Sequence, residues 1–249
     1  MIDLKQGNCL DFMKNIPDES IDMILCDLPY GTSKCKWDIE LPLDMLWEQY
    51  SRVIKDNGVI ALFGVEPFAS KLRLSNLKLY KYDWIWEKTQ ATGHLNANKQ
   101  PLRANENILI FYKKQPLYIP QKTEGHSPVH NYTKYVKTQN NTEHYGKMKK
   151  ELKGGGNTDR YPRNIIKFSS DKQKIKLHPT QKPVALLEYL IKTYTNEGGL
   201  VLDNCMGSGS TGVACKNINR NFIGIELDEK YFEIAKNRIL GGLTYGKDL

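Results

Sequence analysis

At 249 residues the chain is long enough for one large α/β domain or for a core with one sizeable insertion, and two full domains would be cramped. With 40% hydrophobic and 26% charged residues the composition is globular, and it contains no run of about eighteen apolar residues that could span a bilayer. The formal net charge of +8 is by itself only a weak sign of a polyanionic partner.

The start of the chain and its cysteines indicate an intracellular protein. The first five residues, Met-Ile-Asp-Leu-Lys, lack the basic stretch and apolar core of a signal peptide, so we expect a cytoplasmic protein. Five cysteines form no Cys-x-x-Cys pair, and their odd number argues against a disulfide framework. We therefore expect no zinc site and no other metal.

Residues 1–112 alternate between strand and helix patterns. Apolar runs predict strands, and helical spacing of apolar residues predicts helices. The predicted strands are 21–27, 58–64, 82–86 and 107–112, and the predicted helices are 43–55 and 67–77, the second with Pro67 in its first turn. This alternation is typical of an α/β fold.

A basic segment, residues 113–177, interrupts the alternation. It contains fifteen Lys and Arg against five acidic residues, a balance of +10, whereas residues 1–112 sum to −2 and residues 178–249 to zero. Tyrosines interleave with the basic residues, namely Tyr112, Tyr118, Tyr132, Tyr135, Tyr145 and Tyr161. A surface that follows phosphates and stacks on bases has this composition. A solvated or partly disordered insertion is the alternative.

Alternation resumes in residues 178–249. The predicted elements are a helix that opens at Pro183, a strand at 200–203, a glycine loop at 207–212, a helix to 216, a strand at 222–226 and a helix at 229–239. Two α/β segments therefore flank the basic segment.

The glycine loop Gly207-Ser208-Gly209-Ser210-Thr211-Gly212 has G-x-G-x-x-G spacing between a predicted strand and a predicted helix. Glycines there let the backbone approach a nucleoside closely, and Glu226 ends the next strand, where it can accept hydrogen bonds from ribose hydroxyls. A P-loop is excluded because Val213 stands where lysine is required. The loop alone leaves a nicotinamide dinucleotide, S-adenosylmethionine and a purely structural turn as alternatives.

Asp27-Leu28-Pro29-Tyr30 follows the first predicted strand. Because ligands of an open parallel sheet bind beyond the carboxyl ends of its strands, we expect Asp27 and Tyr30 at the same crevice as the glycine loop. Pro29 stiffens the turn and has no N–H, which leaves carbonyls free to accept hydrogen bonds. A carboxylate beside a free carbonyl is a pair of acceptors for an amino group.

Together these motifs resemble those of DNA methyltransferases that modify exocyclic amines. Asp27-Leu28-Pro29-Tyr30 is similar to their Asp-Pro-Pro-Tyr motif, and residues 203–211 are similar to their Asp-Pro-Phe-x-Gly-Ser-Gly-Thr cofactor loop. His178-Pro179-Thr180-Gln181-Lys182-Pro183 matches the element that precedes this loop. The order, with the catalytic motif first and the cofactor loop last, resembles the beta-type permutation of the family.

The resemblance implies a Rossmann-like class I methyltransferase fold, with a doubly wound, mostly parallel seven-stranded sheet and a basic target-recognition insert. It assigns residues 1–112 to a catalytic part, 113–177 to the insert, and 178–249 to the cofactor-binding part of the same α/β domain. It also implies S-adenosylmethionine as cofactor, double-stranded DNA as a sequence-specific substrate, and a role in restriction-modification or in a phage. Dimers occur in the resembled family, so a homodimer is a further expectation.

The implied catalytic residues are Asp27, Leu28, Pro29 and Tyr30. Asp27 and the Leu28 carbonyl would accept the two N–H bonds of the target amine, and Tyr30 would stack on a base flipped out of the duplex. The implied cofactor-binding residues are Asn8, Asp27, Thr180, Lys182, Asp203, Cys205, Gly207, Ser208, Gly209, Ser210, Thr211, Glu226 and Leu227.

The sequence departs from the family pattern at three places. Leu28 replaces the first proline of its motif, Asn204-Cys205 replaces Pro-Phe, and Asn8 replaces an Asp that commonly contacts the cofactor adenine. Leu28 keeps its carbonyl, and the Asn8 amide can still accept one hydrogen bond and donate another. Asn8 therefore bears on cofactor affinity more than on activity.

In the resembled family, Asp at the position of Asp27 is commoner among adenine enzymes and Ser among cytosine enzymes, so we expect transfer to adenine N6. Cytosine-N4 transfer is the first alternative, and a nucleic-acid-binding protein without catalysis is the second. A dinucleotide-dependent oxidoreductase would leave the basic segment unexplained. An RNA substrate stays open, although the insert has no recognisable RNA-binding signature.

Overall fold

The computed structural model describes residues 1–31, 40–129, 132–134, 152–169 and 181–241. The chain divides into two compact units, one of Met1–Ile119 with Asn164–Leu249 and one of Pro120–Arg163. No helix within the described ranges is both long and apolar enough to cross a bilayer.

The larger unit alternates between strands and helices. Its first part contains β1 (Ile2–Gln6), α1 (Cys9–Met13), β2 (Ile21–Cys26), α2 (Leu43–Val53), β3 (Ile54–Gly64), α3 (Phe68–Ser75), β4 (Tyr80–Thr92) and β5 (Arg103–Phe111), with a 3₁₀ turn at His94–Asn96 between the last two strands. The smaller unit contains the short antiparallel pair β6 (Tyr132–Lys134) and β7 (Leu152–Gly154). The second part of the larger unit contains β8 (Ile165–Phe168), α4 (Val184–Tyr194), β9 (Leu200–Asp203), α5 (Ser210–Asn217), β10 (Asn221–Glu226) and α6 (Glu229–Leu240).

The described strands of the larger unit form one eight-stranded sheet, in the order β1-β10-β9-β2-β3-β5-β4-β8. β5 is antiparallel to β3 and to β4, and the other neighbouring strands run parallel. The prediction of seven strands is wrong. The additional strand, β8, has only four residues and lies inside the basic segment, where its pattern is too short to be recognised; its parallel pairing with residues 85–88 of β4 defines it.

Helices cover both faces of the sheet. Buried residues of α1, α2 and α3 form one hydrophobic cluster, and buried residues of α4, α5 and α6 form the other. Along β2, Ile24 and Cys26 belong to the first cluster, and Met23 and Leu25 belong to the second. A strand buried on both faces reads as a continuous apolar run, which is the pattern seen in the sequence. The predicted doubly wound α/β architecture is confirmed.

The winding of the sheet reverses between β2 and β9. These strands are parallel neighbours, with Met23 paired to Val201. The helix that follows β2 covers one face of the sheet, and the helix that follows β9 covers the other. A crevice forms at such a switch point, beyond the carboxyl ends of the strands. Asp27 directly follows β2 and Asp203 ends β9, so both carboxylates are brought to this crevice.

Several elements extend beyond the predicted bounds. β4 has thirteen residues where the apolar pattern predicts five, because its second half is mostly polar and only partly buried. β1 and α1 were not predicted. β1 is partly exposed along its length, yet it completes one edge of the sheet by pairing in parallel with β10, from Ile2 opposite Phe222 to Gln6 opposite Glu226.

Candidate active site

A cavity of about 940 Å³ lies at the carboxyl edge of the sheet. Most of the predicted site residues line it, namely Asn8, Asp27, Leu28, Pro29, Tyr30, Lys182, Asp203, Cys205, Gly207, Ser208, Ser210, Thr211, Glu226 and Leu227. Gly209 does not belong to the lining, and Thr180 lies outside the described residues. The fold therefore brings the two separated motifs to one cavity.

Asp27 directs its carboxylate into a tight set of partners. Its Oδ1 accepts a hydrogen bond of 2.7 Å from the hydroxyl of Tyr30, and its Oδ2 lies 2.5 Å from Nζ of Lys182. The Asp27 side chain is 21% exposed. Burial raises the pKa of Asp27, the ammonium of Lys182 opposes this shift, and the nearby carboxylate of Glu106 adds to it.

Lys182 joins Asp27 to a second carboxylate. Its Nζ lies 3.3 Å from Oε2 of Glu106, whose Oε1 lies 2.5 Å from Nζ of Lys88. Burial alone would lower the pKa of Lys182, but the two carboxylates raise it to about 12. Burial also acts to raise the pKa of Glu106, yet its two lysine partners lower it. Of these two carboxylates, Asp27, which has one lysine partner, is therefore the one whose pKa is raised.

Tyr30 is half-buried, and its ring centroid lies 4.8 Å from that of Phe68. Burial, followed by the charge of Asp27, raises the pKa of Tyr30 well above its ordinary value, so its hydroxyl stays protonated as a donor. The Leu28 side chain is buried, with 3% exposure, which fixes the backbone of the turn. The stacking of Tyr30 on a base stays a prediction.

The glycine loop is held by Asp203 at the end of β9. Asp203 accepts a hydrogen bond of 2.6 Å from the Thr211 hydroxyl and one of 3.2 Å from the backbone N–H of Cys205. Burial raises the pKa of Asp203 to about 6. Gly209 has a φ of 77°, and a Cβ there would lie 2.9 Å from Cβ of Ala235 in α6. Asp203 and Gly209 therefore shape the loop.

Glu226 ends β10 and lies 9% exposed at the cavity. Its Oε2 accepts a hydrogen bond of 2.8 Å from the N–H of Gly207, and its Oε1 accepts one of 2.9 Å from the N–H of Asp228. Burial raises the pKa of Glu226, and these N–H groups oppose the shift. Each carboxylate oxygen has two lone pairs, so capacity remains for a ligand hydroxyl.

The Asn204-Cys205 departure from the family pattern is accommodated by a buried polar cluster. Asn204 is 1% exposed, its Oδ1 accepts a hydrogen bond of 2.6 Å from the Tyr50 hydroxyl, and its Nδ2 lies 3.7 Å from Sγ of Cys9 and 3.6 Å from Sγ of Cys205. Burial raises the pKa of the neighbouring Cys26 to about 12. The Cys26 thiol therefore serves as a protonated packing group.

Two other predicted residues also have structural partners, and a third is exposed. Asn8 caps α1, and its Oδ1 accepts a hydrogen bond of 3.0 Å from the N–H of Leu10. The Ser208 hydroxyl accepts one of 3.0 Å from the Arg238 guanidinium. Leu227 has a 63% exposed side chain at the cavity rim.

Sequence reasoning did not identify Glu106 or Phe63 as site residues. Phe63 lines the cavity, and its ring centroid lies 5.0 Å from Nζ of Lys182. Its place near the carboxyl end of β3, next to β2, is the signal that could have found it. Glu106 gave no such signal because it lies in a strand without a recognisable motif. Gln181 also lines the cavity, and its buried Oε1 has no hydrogen-bond partner among the described residues.

The cavity presents hydrogen-bond acceptors at both ends, Asp27 beside β2 and Glu226 beside β10. A ligand with hydroxyls at one end and an amine or cationic centre at the other suits these acceptors. The volume is near the upper limit of ordinary ligand pockets, about 300–1,000 Å³, which leaves room for two bound groups. Within the described ranges, no group of three or more His, Cys, Asp or Glu residues could hold a metal ion.

Comparison with known proteins agrees with this site. The family model N6_N4_Mtase, described as DNA methylase, matches residues 21–237. The chain is 32% identical to the type II methyltransferase M.HpaI of Haemophilus parainfluenzae, over 94% of this chain and 72% of that protein. It is 28% identical to the type II methyltransferase M2.MboI of Moraxella bovis, over 94% of this chain and 85% of that protein.

Solved structures share the class I methyltransferase fold. The crystal structure of the M1.HpyAVI-SAM complex has a TM-score of 0.65 and 27% identity, covering 96% of this chain and 99% of that one. PvuII DNA methyltransferase, which is cytosine-N4-specific, has a TM-score of 0.65 at 16% identity, covering 95% of this chain and 86% of that one, and shows the fold alone. With a family match that spans both motifs and the sheet between them, the chain belongs to the DNA methylase family of N6 and N4 methyltransferases.

Proposed function

We propose that the protein transfers a methyl group from S-adenosylmethionine to the exocyclic N6 amine of an adenine flipped out of double-stranded DNA. The observation that carries this proposal is the Asp27 carboxylate at the cavity, anchored by Tyr30 and Lys182 and next to the Leu28 carbonyl. A family match over residues 21–237 supports the DNA methylase chemistry.

The far end of the cavity suits the methyl donor. Glu226 offers a carboxylate for ribose hydroxyls, and the buried Oε1 of Gln181 is an acceptor without a protein partner among the described residues. Other predicted cofactor residues line the same cavity, namely Asn8, Lys182, Asp203, Cys205, Gly207, Ser208, Ser210, Thr211 and Leu227. S-adenosylmethionine supplies an electrophilic methyl group on a sulfonium. The named relative M1.HpyAVI was solved as a SAM complex, which supports the same cofactor here.

Asp27 and the Leu28 carbonyl accept the two N–H bonds of the target amine. This localises the nitrogen lone pair and directs it at the methyl donor, while the carboxylate offsets the positive charge that develops on nitrogen. Asp27 can accept the amine although Tyr30 and Lys182 already contact it, since each carboxylate oxygen has two lone pairs. Lys182 keeps a counter-charge in Glu106 when the amine competes for Asp27. Catalysis then consists mainly of positioning and electrostatics.

We assign target recognition to residues 113–177, of which 120–163 form a separate compact unit. In that unit Lys122 pairs with Asp159 at 2.6 Å and lies 4.4 Å from the ring centroid of Tyr161, which is itself 70% exposed. An exposed aromatic beside a cation suits stacking on a base. The expected Tyr135 and Tyr145 lie outside the described residues.

The proposal is tested by incubating the protein with tritiated S-adenosylmethionine and unmethylated genomic DNA, followed by nucleoside digestion and mass spectrometry. We expect label in N6-methyladenine. Label in N4-methylcytosine would support the same mechanism with cytosine instead of adenine as the target base. Label only in added RNA would mean that the substrate is RNA and not DNA. The Asp27→Ala variant should lose turnover while calorimetry still detects S-adenosylmethionine binding. Absence of label from every nucleic acid, with folded protein, would overturn the proposed activity.

A further inference from the structure

The hairpin formed by β4 and β5 extends beyond the end of β3, and past Lys88 it also extends beyond the end of β8. β3 ends at Gly64, which pairs with Asn107 of β5, and Asn107 pairs with Ile85 of β4. β4 continues for seven more residues, to Thr92. A bulge after Glu87 leaves only four residue steps of β5, from Asn107 to Arg103, opposite these seven residues. At about 3.3 Å per residue, the paired strands therefore pass the end of β3 by roughly 13 Å.

The projecting end lies at the edge of the sheet that contains the cavity. β4 runs in the same direction as β2 and β3, because both β3 and β4 are antiparallel to β5. Its carboxyl end therefore points the same way as the ends of β2 and β3. Ion pairs also connect the base of the hairpin to the site, from Lys88 through Glu106 and Lys182 to Asp27.

The end of this hairpin has the composition of a polyanion-binding surface. Every residue from 92 to 105, which we call the hairpin tip, is exposed. No acidic residue occurs from Lys88 to Asn105, whereas Lys99, Arg103 and four Asn or Gln side chains lie in the tip. A surface that carries neutral amides and cations, and no carboxylates, can contact the phosphates and the base edges of DNA.

Leu95 stands in the 3₁₀ turn at the end of the tip. Its side chain is fully exposed, at 101% of the reference area, and packs on nothing in the larger unit. A single exposed leucine needs no explanation on most surfaces. Here it lies in the tip of a projecting hairpin without acids, which points to the same edge of the sheet as the cavity. Proteins that hold DNA open commonly insert apolar side chains of this kind between base pairs.

We propose that the hairpin tip enters a groove of the duplex beside the target, with Leu95 as a wedge that occupies the space left by the flipped base. This inference rests on the proposed function, since it specifies how the DNA substrate is held. Lys99 and Arg103 contact phosphates on either side of the wedge, and the ion pairs at the hairpin base keep the wedge in register with Asp27.

The wedge is tested by single-turnover methylation of two short duplexes that contain the sequence mapped by the labelled-DNA assay. In one duplex the target base is paired, and in the other an abasic site lies opposite it. We expect Leu95→Ala to slow methylation of the paired duplex about tenfold or more and of the abasic duplex less than threefold, because the second target is already unpaired. Leu95→Met should restore most of the rate on the paired duplex.

Leu74→Ala is the matched control, since Leu74 is also an exposed leucine, at 70%, but lies on α3. It should methylate both duplexes at the wild-type rate. An equal loss for Leu95→Ala on both duplexes, or no loss on either, would overturn the wedge.

A binding measurement tests the tip independently of methyl transfer. Duplex affinity is measured by fluorescence anisotropy over a range of salt for the wild type and for the double variant Lys99→Ala/Arg103→Ala. We expect the slope of log affinity against log salt to fall by about two, one for each lost phosphate contact. An unchanged slope would refute contact between the tip and DNA even if methylation is active. A reduced slope without any methylation would retain the contact and reject the proposed activity.

Discussion

Two carboxylates and two lysines form a connected series of ion pairs that includes the cavity residues Asp27 and Lys182, and the two carboxylates are not equivalent. Glu106 contacts both Lys88 and Lys182, whereas Asp27 contacts Lys182 alone. The pKa of Glu106 is lowered as a result, while burial raises that of Asp27. Glu106 therefore remains a permanent counter-charge, and Asp27 is the acceptor that responds to pH and to the substrate amine.

The role of Glu106 can be tested by Glu106→Gln. Methyl transfer requires ionised Asp27, so the rate falls as the pH drops through the raised pKa of Asp27. Removing the Glu106 charge lowers that pKa, and the acid limb of kcat should move to lower pH. The plateau rate should fall about tenfold, roughly 1.4 kcal/mol, because Lys182 then pairs with Asp27 alone and competes with the amine.

The measurement is a pH profile of kcat, with thermal unfolding to confirm the fold. Glu87→Gln is the matched control on β4, because Glu87 makes a 2.8 Å pair with Lys167 at an exposed site. Glu87→Gln should leave both the acid limb and the plateau of the kcat profile unchanged. If the limb and plateau of Glu106→Gln also stay in place, Glu106 has no part in catalysis.

Asp203 gives a stability prediction. The pKa of Asp203 is about 6 in the folded protein and 3.8 ordinarily, so the native state binds the proton more tightly than the unfolded state does. The stability that comes from this tighter proton binding is therefore lost as the pH rises from about 4 to 6. Asp203→Asn cannot ionise. The free energy of unfolding of the wild type minus that of the variant should therefore fall by about 1 to 3 kcal/mol between pH 4 and pH 7. Urea unfolding at several pH values measures this difference, and a constant difference would contradict it.

Residue types and order could be predicted, but hydrogen-bond partners could not. The Asp27 to Tyr30 motif and the glycine loop follow strands in sequence, and parallel strands deliver their ends to one edge. Nothing in the sequence indicates that Lys182 would pair with Asp27, because 155 residues separate them. Such contacts depend on how far each side chain extends across the crevice.

The α5 helix illustrates how close packing constrains an element. Gly212 lies in its first turn, where alanine would normally favour the helix. A Cβ at Gly212 would collide with Cδ1 of Ile239 in α6 and lie 2.8 Å from Cε1 of Phe222 in β10. The third glycine of the loop motif is therefore required by contact between two helices and the sheet.

Gly212→Ala should lower the free energy of unfolding by about 1 to 3 kcal/mol, as expected of an overpacked core. Ile239→Val removes the Cδ1 atom that the new methyl meets, at a cost of about 0.5 to 1.5 kcal/mol by itself. The double variant should be more stable than the sum of the two changes predicts. Denaturant unfolding of all four proteins measures the coupling. Strictly additive changes would show that helix contact is not the reason for this glycine.

At the scale of elements, buried segments could be predicted better than exposed ones. The strands and helices of the two clusters have clear periodicity, and their predicted centres agree with the observed elements. The outer half of β4 is mostly polar and only partly buried, and the start of β5 is exposed, so neither has a hydrophobic pattern from which a strand could be predicted. β8 depends on its neighbour β4 for its strand conformation.

In the whole molecule, the order of the motifs predicted the family, and the family predicted the architecture. The position of the site follows from this architecture, because a sheet with one switch point has one crevice there. The presence of an eighth strand in the sheet could not be predicted from the motif order or from the family. β8 comes from the basic segment, and its place next to β4 depends on tertiary pairing.

The strand order also has a consequence for synthesis on the ribosome. β9 lies between β2 and β10, and β1 pairs, among the described strands, with β10 alone. A nascent chain that has just made β2 must therefore wait for residue 203 before that strand edge is covered, about ten to forty seconds at bacterial and eukaryotic elongation rates. An uncovered strand edge recruits other chains. Translation products that stop before residue 200 should consequently bind chaperones or aggregate. A chain truncated near its midpoint should therefore have no partial activity.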